Sequence, residues 1–141
     1  MSSLMETTKK KTTIASDYIK TRNHYYRNAE ELIGKKEFRK ASEMLWGAVT
    51  QTLKALAALR DVEIRNHAEF FTITQMLSKE LKDPLIYNTF VELNALHTNF
   101  YDEVIPEQGF PLFYAKSKGF IEKLQKIIHD VLEKEKKRGN G

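Results

Sequence analysis

The chain has 141 residues, the size of one domain, and 41% of them are apolar, enough for a core without covalent staples. It has no cysteine, which excludes disulfides, thiolate nucleophiles and zinc–sulfur sites. Its net charge of +4 comes from the ends, since residues 1–13 and 132–141 contribute +2 each and the 16 basic and 16 acidic side chains between them cancel; a pI near 9.2 is therefore no nucleic-acid signature by itself.

The start, residues 1–13, is polar and lysine-bearing, with no apolar stretch of the kind a signal peptide carries. No apolar run approaches the roughly 18 residues of a membrane span. These features lead us to expect a cytoplasmic protein that does not enter a membrane. Residues 1–13 and 138–141 read as flexible polar tails around a single domain at 14–137.

Helical periodicity dominates from there on, with proline confined to 84, 106 and 111. The first helix is expected over 15–33, where Tyr18, Tyr25, Ala29, Leu32 and Ile33 recur at three- and four-residue steps. Gly34 fits a left-handed stop, and Lys35 and Lys36 suit the negative end of the helix dipole. The second helix, 37–59, carries apolar residues around much of its circumference, including Phe38, Leu45, Trp46, Val49, Leu53 and Leu56. Such a helix belongs at the centre of a bundle. Gly47 inside it costs about 1 kcal/mol relative to alanine and implies a close helix–helix approach.

Asn66-His67-Ala68-Glu69 reads as a capping box opening a third helix over 67–81, with Phe70, Ile73, Met76 and Leu77 inward. Asp83-Pro84 opens the fourth helix, 84–104, on the stripe Ile86, Phe90, Leu93, His97, Phe100 and Val104. A loop over 106–111 precedes the last helix, 112–136, which faces inward with Phe113, Phe120, Leu124, Ile127 and Val131. Short connectors make neighbours antiparallel, so the expected fold is all-α, an up-and-down bundle of about five helices. The segment Glu30 to Val49 is like one tetratricopeptide turn, but it does not recur and supports no solenoid.

His97 is the unusual position, because it interrupts an apolar stripe. Asn94 and Tyr101 share its face, and the three could exchange hydrogen bonds. Two readings stand: an acid–base or ligand-binding site, or a satisfied core histidine or polar pair at a subunit interface. His67 lies beside a cap, and His24 and His129 fall among polar residues. The spacings for a di-metal bundle, a zinc protease, a phosphate loop and a dinucleotide turn are absent, so no catalytic residue, metal or cofactor is expected. Lys35, Lys36, Arg39 and Lys40 form a basic cluster that could touch phosphates or simply be solvated. Trp46, at helical spacing, is expected in the core rather than as a base-stacking platform.

The run Ala29-Glu30-Glu31-Leu32 through Gly34, then Ala41, Trp46-Gly47-Ala48 and Leu96-His97-Thr98-Asn99-Phe100-Tyr101, resembles the archaeal PaREP proteins of the HEPN superfamily. The resemblance spans about residues 20–135 and implies an up-and-down bundle of four to five helices, usually a homodimer. It also adds Asn99 to Asn94, His97 and Tyr101 as candidate binding residues. Nuclease members carry Arg-x4–6-His near the start of a late helix. Here the only match is Arg60 to His67, in a connector, and no arginine lies within reach upstream of His97. The function expected is a dimeric interaction module for a nucleotide, RNA or partner protein. The alternative is a metal-independent endoribonuclease of toxin type.

Overall fold

The computed structural model describes the backbone of residues 2–140 and the side chains of residues 6–138. Within these residues there are five α-helices and no strand: α1 (Ser2–Gly34), α2 (Phe38–Leu59), α3 (His67–Leu81), α4 (Pro84–Asp102) and α5 (Phe110–Asn140). A short 3-10 turn, Glu107–Gly109, leads into α5. No helix is long and apolar enough to cross a membrane among these residues.

α2 is the central helix, as its all-round apolar surface requires. It packs most extensively on α1 and then on α5 and α4, while α3 packs mainly on α4. Ala41, Leu45, Ala48, Val49, Leu53, Ala55 and Leu56 are fully enclosed. Burying each leucine or valine contributes roughly 1.5–3 kcal/mol. Gly47 does mark a close approach. A Cβ there would stand 3.1 Å from the Tyr25 ring of α1, so the missing side chain lets the two helices meet.

α1 begins at Ser2, not near Ala15. Thr12 and Thr13 bond back to the carbonyls of Thr8 and Lys9, and Lys11 pairs with Asp61 at 2.7 Å, so residues that look like a tail continue the helix. α1 also ends differently from its sequence signal. Gly34 has no positive φ; Lys36 takes the left-handed conformation at φ 59°. The Lys36 and Glu37 amides donate to the carbonyls of Ile33 and Leu32, both at 2.9 Å, which closes a Schellman turn two residues beyond where Gly34 would place it.

α3 and α4 start where expected. The Asn66 side chain accepts from the Glu69 amide at 3.1 Å. Glu69, however, reaches back to the Arg65 amide and the Asn66 side chain rather than to the Asn66 amide. Asp83 caps α4 by accepting from the Leu85 amide. α4 ends two residues early, because Glu103 turns left-handed at φ 39°. The Asn99 Oδ1 then accepts from the Ile105 amide at 2.7 Å, and this bond draws Ile105 into the core. Val104, expected inside, is left exposed, as is Met76 on α3. α5 starts early at Phe110, whose ring meets Phe38 at 4.9 Å; Pro111 sits in the first turn, where its missing N–H has no helical partner to lose.

Candidate functional site

Three helices bring one polar cluster together on the ring of Trp46. Trp46 is only 5% exposed, wedged on α2 against Phe90, so the expectation of a core tryptophan holds. Its ring also packs against two histidines. His97 of α4 stacks on it at 5.7 Å between ring centroids, and His67 of α3 tilts against it at the same distance. The two imidazoles are themselves 5.6 Å apart. Phe71 closes the far side of His67, edge-on at 5.6 Å.

Each imidazole is oriented by one acceptor side chain. The His97 Nδ1 donates to the Glu43 carboxylate at 3.0 Å, and the His67 Nε2 donates to the Asn94 Oδ1 at 3.1 Å. An acceptor oxygen fixes the proton on the nitrogen facing it, so in a neutral ring the His97 Nε2 and the His67 Nδ1 are the unprotonated nitrogens. Neither of these nitrogens has a partner among the described residues. His67 is exposed, and the His97 and Glu43 side chains are 34% and 29% exposed, so a ligand can reach all three. His67 owes its place to the Asn66 cap, which fixes it at the first position of α3.

The residues singled out in the sequence fare unequally. Asn94 and His97 belong to the cluster, but they do not bond to each other; Asn94 holds His67 and Glu43 holds His97. Tyr101 is 67% exposed and meets His97 edge-on at 5.5 Å, without a hydrogen bond to it. Asn99 lies 1% exposed, its amide nitrogen donating to Ser42 Oγ at 2.9 Å and its oxygen engaged by Ile105, so it supports the α4 exit and presents nothing to a ligand. Glu43 escapes the sequence reading, and His67 enters it only as a residue beside a cap and the end of a loose Arg-to-His spacing. Glu43 is the one carboxylate within α2, and nothing local links it to a histidine 54 positions later.

The basic cluster is largely committed elsewhere. Lys35 and Lys40 pair with Glu31 and Glu37 at 3.6 and 3.7 Å. Arg39 donates to the carbonyls of Phe100 and Tyr101, where it caps the C-terminal end of α4. Lys36 shares its hollow with Glu37, Glu103 and Glu107. Among the described residues, no group of three or more His, Asp or Glu side chains is placed to hold a metal ion.

Residues 17–111, two thirds of the chain, match the archaeal PaREP1/PaREP8 family. The chain belongs to that family. The matched segment runs from within α1 to the first turn of α5 and contains every member of the PaREP chain's histidine cluster. No curated protein and no solved structure matches the chain.

Proposed function

We propose that this PaREP chain is a nucleotide- or RNA-binding bundle of the HEPN superfamily. It works as a cytoplasmic homodimer, with the Glu43–His97 and His67–Asn94 pairs as its contact site and no catalytic site of its own. One observation carries the reading: two accessible imidazoles, each held by one acceptor side chain, keep one nitrogen apiece without a partner among the described residues, beside an aromatic ring. Protonated, both nitrogens donate to an anionic oxygen; neutral, both accept from hydroxyl or amino groups. Exposed Tyr101, edge-on to His97, supplies apolar area for a second copy.

A second reading, a metal-independent endoribonuclease, is favoured by the separation of the two rings. One neutral imidazole would take the proton from a ribose 2′-hydroxyl as its oxygen attacks the adjacent phosphorus. The other, protonated, would give its proton to the departing 5′-oxygen, leaving a 2′,3′-cyclic phosphate and a 5′-hydroxyl. Arg60, the loose sequence match to the nuclease motif, pairs with Glu80 instead of joining the histidines.

The test is binding of a fluorescent single-stranded RNA, read by anisotropy, alongside gels of the same RNA. The wild type should bind it uncut, and a His67→Ala, His97→Ala variant of unchanged melting temperature should bind at least tenfold more weakly. Cyclic-phosphate products with a bell-shaped pH profile would replace the first reading with the second. Equal binding by both proteins would remove the site.

A further inference from the structure

Cations that reach from one element to another in this bundle meet a definite counterpart. Lys11 finds Asp61, Arg60 finds Glu80, Lys116 finds Glu92, and Lys123 finds Asp83. Arg39 finds helix-end carbonyls, and Lys54 lies 6.0 Å from the ring centres of Tyr18 and Phe70. Arg22 departs from this pattern. It is half-buried on α1, yet its partner across the gap is the neutral amide oxygen of Gln125 on α5, with Asn23 bracing the guanidinium from its own helix at 2.9 and 3.0 Å.

The gap is an open groove of about 670 Å3, formed because α1 and α5 barely touch along a bundle otherwise closed by α2. Arg27 and Lys118 line it too, and neither makes an ion pair or hydrogen bond among the described residues. Glu122 is the one acid of the lining, also without a partner there, so three cations face one anion. Ile121 and the Tyr26 ring supply an apolar wall.

We propose that the α1–α5 groove binds a small phosphate-bearing ligand of mononucleotide size, its phosphate taken by Arg22, Arg27 and Lys118 and its apolar part lying on Tyr26 and Ile121. The volume falls within the range of small-molecule sites. The planar guanidinium, held by two neutral amides, keeps N–H groups free for a bidentate contact with an oxyanion. Burial of a cation without a carboxylate is unfavourable for the empty protein, in line with desolvation lowering the Arg22 pKa. A bound dianion reverses that penalty. The site shares no helix with the histidine cluster, so it stands or falls on its own.

Calorimetric titration of the full chain with AMP, adenosine and inorganic phosphate tests it. AMP should bind saturably, with adenosine and phosphate each at least tenfold weaker. Arg27→Gln with Lys118→Gln should weaken AMP at least tenfold without lowering the melting temperature of the empty protein. Arg22→Met should abolish binding while leaving that temperature unchanged or higher. The His67→Ala, His97→Ala variant should bind AMP as the wild type does. No saturable AMP binding, phosphate binding as tight as AMP, or AMP affinity indifferent to the groove variants would overturn the proposal.

Discussion

Single side chains decide where this bundle's helices stop. Lys36 occupies a left-handed conformation that suits glycine, while Gly34, two residues earlier, has ordinary helical geometry and open space where a Cβ would go. A left-handed non-glycine residue costs about 1–2 kcal/mol, and a glycine inside a helix end costs up to about 1 kcal/mol relative to alanine. The exchange Gly34→Ala with Lys36→Gly should therefore raise stability by about 1–2 kcal/mol, measurable as a higher urea midpoint. Asn99 is the opposite case. Its two bonds satisfy Ser42 and Ile105 in a buried setting. Asn99→Leu should cost roughly 1–3 kcal/mol by leaving the Ile105 amide without its acceptor. At this scale the sequence was legible for polarity and illegible for partners. His97 stood out because it broke an apolar stripe, but the residues that hold it and its neighbour come from other helices. Asn99 looked like a site residue because polar side chains in a resembling segment invite that reading. Only its burial distinguishes a brace from a contact.

Elements were far easier to read, because periodicity and caps act within a few residues. Asn66 and Asp83 start α3 and α4 where the sequence places them. The ends of α1 and α4 moved because left-handed turns at Lys36 and Glu103 carry no composition signal. Asp83 also ties α4 to α5. Lys123 donates to its carboxylate at 2.7 Å, and this bond, helped by the Leu85 amide, holds the carboxyl below its ordinary 3.8 despite some burial. A carboxyl lowered on folding favours the native state at pH values above that ordinary value and loses its contribution as the pH falls through the lowered one. Asp83→Asn keeps a good cap but removes the ion pair. Wild type should exceed it in urea midpoint at neutral pH, and the two should converge in acid as the pH falls below 3.8.

For the whole molecule, packing around α2 was implied by that helix's apolar circumference, whereas the α1–α5 gap was not, since no sequence pattern reports two helices failing to meet. The gap is crossed near Glu30 by a chain of hydroxyls, in which Tyr26 donates to Tyr114 at 3.1 Å and Tyr114 to the Glu30 carboxylate at 2.9 Å. The bond with Tyr26, burial and the Glu30 carboxylate raise the Tyr114 phenol above its ordinary 10.0. Ionising it would remove the donor to Glu30 and set two anions side by side. A raised group stabilises the fold below its ordinary pKa and loses that contribution as the pH climbs through the folded value. The wild-type urea midpoint should fall above pH 10 more steeply than that of Tyr114→Phe, which has no proton to lose there.

The three residues between Gly34 and Phe38 have a further consequence, in time rather than energy. They join the two helices with the most extensive mutual packing, so the largest interface of the bundle lies between neighbours in sequence. Closing so short a link sacrifices little chain entropy, and local interfaces form early. The α1–α2 hairpin is thus the portion able to assemble while the remainder is still unfolded, before the rings that pack on Trp46 arrive from α3 and α4. The histidines arrive afterwards, from α3 and α4, and the cluster becomes a marker for completion of folding.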